Sequence, residues 1–238
     1  MRINPDLCIA CGSCVPYCPM RAITLEDHAA VNEDECVECG ICVRARVCPV
    51  DAFEQPKLEY PRILREVFSN PLVTHPGTNV PGRGTEEMKT NDVTGRFRRG
   101  HAGIAVELGR PGTGTRLYNV EKVAMAVAPF GVKFEPKNPT TQLMVDRSTG
   151  KLRDDCLNEK VLSAIVEFDC REDQVVPILE AIKKVAEEID TVFSLDICSR
   201  VAEDGTIPTE ELARRAGFTP SLNGKTNVGL GRPLAKED

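Results

Sequence analysis

The chain has 238 residues, a formal net charge of −6, 41% hydrophobic and 28% charged residues, and eleven cysteines. That length allows one large domain or two small ones, and the composition is that of a water-soluble globular protein. Nucleic acid is a poor partner for an acidic chain without a basic face, and no apolar run approaches the ~20 residues of a membrane span.

The opening stretch, MRINPDLCIACG, has no apolar core of the export-signal type, so a cytoplasmic location with reduced thiols is expected. Eight of the cysteines lie within residues 8–48. The first run is Cys8-x2-Cys11-x2-Cys14-x3-Cys18-Pro19 and the second is Cys36-x2-Cys39-x2-Cys42-x5-Cys48-Pro49. Cysteines three apart point the same way, so they bridge to each other poorly but converge readily on a metal. Zinc favours four ligands in CxxC pairs. Triplets closed by Cys-Pro suit an iron–sulfur cube, with three thiolates on one cube and the fourth reaching a second. The two runs are internal repeats, with Ile9/Val37, Gly12/Gly40, Val15/Val43, Pro19/Pro49, Ala22/Ala52 and Ile23/Phe53 in corresponding places. Between them, AITLEDHAAV reads as a short hairpin with its tip at Glu26–His28.

On these motifs, residues 1–55 resemble a bacterial ferredoxin with two 4Fe-4S clusters. The resemblance implies crossed ligation: Cys8, Cys11, Cys14 and Cys48 on cluster I, and Cys36, Cys39, Cys42 and Cys18 on cluster II. The second repeat departs from the short spacing by two residues within Val43–Val47. A displaced Cys48 would leave cluster I with three thiolates. Because Cys48 keeps its proline and the repeat resumes at Pro49, the insertion is expected to form a bulge in a turn. Arg44 and Arg46 lie in that bulge, either as solvated cations or as groups that tune or dock the electron path.

Residues 59–70 read as a short helix with Pro61 in its first turn and Asn70-Pro71 as its stop. The 71–101 segment shows no periodicity and is locally basic, with Arg83, Lys89, Arg96, Arg98 and Arg99. Gly82-Arg83-Gly84 offers a weak anion-binding pattern, and TNVPGRG at 78–84 has an echo in TNVGLGRP at 226–233. From residue 102 the pattern becomes regular. Strands are expected at 103–110, 132–146 (interrupted, and an edge, from its prolines), 161–170 and 191–201. Helices are expected at 119–131, opened by Asn119, and at 173–190, with Ile178, Leu179, Ile182 and Val185 on one face. A brief helix with Thr209 as cap lies in the tail.

The expected fold is therefore α+β: a two-cluster ferredoxin domain at 1–58, a helix and Gly/Pro-rich loop at 59–101, a split-βαβ (ferredoxin-like) sandwich at 102–201, and a tail at 202–238. Two helices would cover one face of the sheet. Glu107, Glu167, Asp169, Asp196 and Cys198 would line an open second face. Cys156, Cys170 and Cys198 read as small buried hydrophobes.

Three functions fit. The chain has no flavin, nicotinamide or Walker fingerprint, which favours a non-catalytic electron-transfer subunit of an oxidoreductase. Such a subunit would pass single electrons to or from a larger flavin- or metal-dependent reductase. A second reading is an anaerobic reductase holding substrate at 75–101, since PGRGTEEMKTNDVTGR resembles iron–sulfur reductases of N-heteroaromatic breakdown such as 6-hydroxynicotinate reductase. The third is a ligand-sensing module.

Overall fold

The computed structural model describes residues 1–79, 92, 94–110, 112–222 and 234. The proposed Gly/Arg loops, from residue 80 onward in the first and at 226–233 in the second, lie outside the described residues, as do Arg83 and Lys89. The N-terminal part holds β1 (Arg2–Ile3), β2 (Ile23–Leu25), β3 (Ala29–Val31), α1 (Ile41–Arg44) and β4 (Phe53–Glu54). β2 pairs with β3 in the expected hairpin. β1 pairs antiparallel with β4, Ile3 opposite Phe53. This second pairing joins the ends of the segment and was not expected from its two-residue strands.

The remainder contains α2 (Ile63–Ser69), β5 (His101–Leu108), β6 (Thr115–Arg116), α3 (Leu117–Val127), β7 (Lys133–Phe134), α4 (Pro139–Gln142), β8 (Met144–Asp146) and β9 (Lys151–Leu152). These are followed by β10 (Lys160–Val161), β11 (Ala164–Arg171), α5 (Val175–Val185), β12 (Phe193–Ser199) and α6 (Pro208–Arg215). The main sheet is antiparallel in the order β12-β5-β11-β7. One face buries Ile104, Val106, Leu108, Val166 and Phe168 against Val120 and Val123 of α3 and Ile178, Leu179 and Ile182 of α5. α2 adds Leu64, Val67 and Phe68 to the same core. Fully burying a side chain of this size is worth about 1.5–3 kcal/mol, so this layer dominates the fold's stability.

Several local expectations need correcting. The 132–146 stretch is not one strand: β7 ends at Phe134, and the turn of α4 and the β8–β9 hairpin follow. Asn138 explains the break. Its side chain accepts from the Thr140 amide and Pro139 occupies the first helical turn, so the chain turns instead of extending. Asn119 does not cap α3, which starts two residues earlier at Leu117. It instead donates to Asp190. Pro208 starts α6, and Thr209 hydrogen-bonds with Ser199.

The second sheet face is open only along β12, where Asp196 is exposed and Cys198 half-buried. By register Glu107, Glu167, Asp169, Asp196 and Cys198 do lie opposite the helices. Yet Glu107, Glu167 and Asp169 are all under 5% exposed. Each carboxylate has a polar partner, which offsets the cost of taking it out of water. Arg110 pairs with Glu107, Asn138 donates to Glu167 at 3.1 Å, and His101 Nδ1 lies 2.9 Å from Asp169. Phe97 covers the middle of this face. Gly103 makes room for it: a Cβ there would stand 2.4 Å from the Phe97 ring and 2.7 Å from Cys198 Sγ.

The cysteine-rich segment is tied to the rest by buried polar contacts. Arg65 of α2 is 5% exposed and donates through Nη1 to the carbonyls of Glu33, Asp34 and Cys36 at 3.0, 2.7 and 2.9 Å. Its Nε meets the Glu159 carboxylate. Arg62 reaches the buried Glu38, whose carboxylate also accepts from the Met1 amine. Arg116 of β6 pairs with Asp34 and Glu35, and Lys160 of β10 also pairs with Glu35.

Two outcomes follow from this packing. Gly103→Ala should cost about 1–3 kcal/mol by overpacking and raise the exposure of Phe97, read as a lower urea midpoint and faster proteolysis near residue 97. Arg65→Met should cost about 3–5 kcal/mol, because it strands Glu159 and three carbonyls; adding Glu159→Leu should restore part of the loss in the same unfolding assay.

Candidate metal centre

The two cysteine runs fold alike because the same backbone turns recur. Ala10 and Glu38 both have φ near +54°, Arg21 and Asp51 near +52°, and Gly12 and Gly40 near +70°. Left-handed conformations cost a non-glycine residue roughly 1–2 kcal/mol, so their repetition marks a frame imposed by the site. The glycines are needed for that conformation and for close neighbours. A Cβ at Gly12 would stand 3.0 Å from Leu25 Cδ2, and one at Gly40 would stand 2.7 Å from Arg44 Nη1.

This frame brings the eight cysteines into two sets. Cys8, Cys11, Cys14 and Cys48 line one cavity of about 340 Å³ with Ile3, Ile9, Val47 and Phe53. Cys18, Cys36, Cys39 and Cys42 line another of about 380 Å³ with Met20, Ile23, Val31 and Val37. Each set takes three cysteines from one repeat and the fourth from the other. Among the described residues no group of three or more His, Cys, Asp or Glu is placed to hold a single metal ion. An all-sulfur, apolar cradle of this form fits a compact iron–sulfur cube.

The lengthened spacing is absorbed as follows. The first repeat crosses from Cys14 to Cys18 by the 3-10 turn Val15–Tyr17. The second uses the α-helical turn Ile41–Arg44 and then Arg46 in a left-handed conformation with φ +51°. The two paths rejoin the same frame. The Ala22 amide donates to Cys18 Sγ at 3.1 Å and the Ala52 amide to Cys48 Sγ at 3.2 Å, each four residues on. Cys48 is therefore not displaced. Arg44 is not a plain solvated cation either, since its Nη1 donates to Asn70 Oδ1 at 2.9 Å and links α1 to the end of α2.

The cradles differ in exposure. Cys11 is exposed, whereas Cys39 is buried together with Val37 and Glu38. Hydrogen bonding by Ser13 lowers the Cys11 thiol, while burial pushes Cys42 up to about 11 and also raises Cys36, Cys39 and, in the first set, Cys14. A buried thiol of either set is thus harder to ionise until a cation arrives to hold its charge. Of the three remaining cysteines, Cys156 and Cys170 are buried as expected of small hydrophobes, while Cys198 is only half-buried; desolvation pushes Cys156 to about 11 and Cys170 and Cys198 to about 12.

Sequence reasoning missed the contacts that grip residues 33–38, Arg62, Arg65, Arg116 and Lys160 among them. These are ordinary surface-type residues up to 125 positions from their partners in the chain, and nothing local marks them.

Comparison with known proteins bears on the same segment. A family model described as a 4Fe-4S dicluster domain matches residues 1–54. A curated protein of Methanosarcina thermophila called "Probable ferredoxin" is 58% identical over 26 residues, 11% of this chain and 45% of that protein. The chain thus matches under half the length of that relative. No solved structure matches the chain. With the paired cysteine cradles, these findings identify residues 1–54 as a ferredoxin-type 4Fe-4S dicluster segment.

Proposed function

We propose that the chain is the iron–sulfur electron-transfer component of an oxidoreductase complex. The observation that carries this reading is the pair of four-cysteine cradles, each closed by a cysteine from the opposite repeat. In this reading Cys8, Cys11, Cys14 and Cys48 hold cluster I, and Cys18, Cys36, Cys39 and Cys42 hold cluster II. A bound cube supplies one-electron capacity. The chain's own part is to fix the sulfurs, exclude water and donate backbone N–H groups to thiolates. The Ala22, Ala52 and Ala29 amides are aimed at Cys18, Cys48 and Cys8, and such bonds favour the reduced form.

The unit after residue 101 is read as a split-βαβ sandwich. Its four main strands come in chain order β5, β7, β11 and β12, and their sheet order β12-β5-β11-β7 supports that reading. Together with α2, its role is to mount the cysteine-rich segment rigidly, through Arg62 and Arg65 of the α2 region and Arg116 and Lys160 of the unit itself, as a dedicated subunit requires. The partner is a larger reductase carrying a flavin or metal centre, and the subunit works in the cytoplasm.

Anaerobically purified protein should contain about eight iron atoms per chain with matching sulfide. Four irons, or zinc in their place, would overturn the two-cube assignment. Cys48→Ser should weaken one electron paramagnetic resonance signal and Cys36→Ser the other; loss of the same signal in both variants would reject the crossed sets.

A further inference from the structure

Electron transfer through a protein surface depends on which metal site a partner can approach, and the two cradles differ sharply here. The segment leading into the second set is fastened to the rest of the chain on one side, although Glu33 and Asp34 keep exposed side chains. Arg65 holds the carbonyls of Glu33, Asp34 and Cys36, Arg116 and Lys160 pair with Asp34 and Glu35, and Met20 packs onto Gly114, where a Cβ would stand 2.8 Å from its methyl. Among the described residues no comparable contact fastens the first set, and its one exposed cysteine has no counterpart in the second, where the exposed Tyr17 and Val43 flank half-buried Cys18 and Cys42. Leu7 and Ile9 on either side of Cys8 are 50% and 59% exposed, and Cys11 itself is exposed.

The β2–β3 hairpin belongs to the same surface. Leu25 touches Gly12, Ala29 donates to Cys8 Sγ, and the hairpin tip between them carries the exposed Glu26 and Asp27. Asp6 and Asp51 are exposed on neighbouring turns, with Arg46 as a counter-charge and His28 at the tip. An apolar centre with a predominantly acidic rim is complementary to an apolar patch ringed by Lys and Arg.

We propose that this chain's electron port lies at the first set. A redox protein with a basic rim docks on Leu7, Ile9 and Leu25 beside Cys11, and exchanges one electron there without bond formation. The chain's own α2, β6 and β10 occupy the Cys36 side of the second set. This rests on the electron-transfer reading above and adds which end of the pair meets the partner.

Cytochrome c, a one-electron acceptor with a lysine-rich face, is a suitable probe, and its zinc-substituted form reports binding without redox turnover. The dithionite-reduced holoprotein is desalted and mixed with oxidised cytochrome c, so that each electron lost from the protein converts one ferric haem to ferrous. Glu26→Lys with Asp27→Lys should lower both the rate and the affinity for the zinc form by about tenfold or more at low salt, with the difference shrinking at high salt. Arg46→Glu should raise both. Glu180→Lys on α5 with Glu187→Lys in the turn that follows it, the same change in net charge, should alter them less than about twofold. Equal effects of the hairpin and α5 pairs, or no effect of the hairpin pair, would overturn the port. Iron content and resonance signals are measured on every variant. Absent clusters in the unmodified protein would defeat the electron-transfer reading itself; normal clusters with a silent hairpin pair would defeat the port alone.

Discussion

One buried guanidinium joins the parts of this protein. Arg65 stands on a helix whose apolar face belongs to the core of the main sheet, yet its donors satisfy the backbone that leads into Cys36. A fork of five fixed N–H donors can satisfy several carbonyls and a carboxylate together, which an ammonium on a flexible stem does less well. The Glu159 carboxylate balances its charge inside the protein. A core position and a metal cradle are thereby held in one geometry, and neither can shift without leaving a buried charge or carbonyl unpaired.

The same economy of charge appears on the far face of the sheet. Carboxylates at Glu107, Glu167 and Asp169 alternate in sequence with core residues, and alternation alone would send them to water. They are instead covered, and their partners Arg110, Asn138 and His101 come from the ends of strands or from the turn after β7. Buried polar groups in such numbers specify one register: sliding a strand by one residue would exchange them with Ile104, Val106 or Phe168 and break both layers.

The duplication in the cysteine segment is closer in backbone than in sequence. Left-handed residues recur at equivalent places with unlike side chains, Ala10 with Glu38 and Arg21 with Asp51. What is repeated is a path that sets sulfur positions, and side chains are free to diverge where the path suffices. Divergence is what separates the two ends. The second copy has Arg44, which binds Asn70, and a glutamate at position 38 that meets Arg62 and the Met1 amine. The first copy leaves Cys11 exposed.

The cysteine spacing, its repetition and the Cys-Pro endings were legible along the chain because ligands to a compact cluster must come from short, tightly turned segments. The amphipathic helix around Ile178–Val185 and the alternating strands around Ile104–Leu108 and Val166–Phe168 were legible for a similar local reason, since period alone reports one buried side. Strand boundaries near Phe134 and the cap of α3 were not, because an Asx turn at Asn138 and a tertiary bond from Asn119 to Asp190 prevailed over local preference. Burial of most of the second sheet face could not be read either, as it depends on Phe97 folding back over Gly103. Which cradle is fastened to the rest of the chain was likewise decided in three dimensions. An arginine's ordinary surface chemistry becomes a clamp only when the fold brings carbonyls and a carboxylate within its reach.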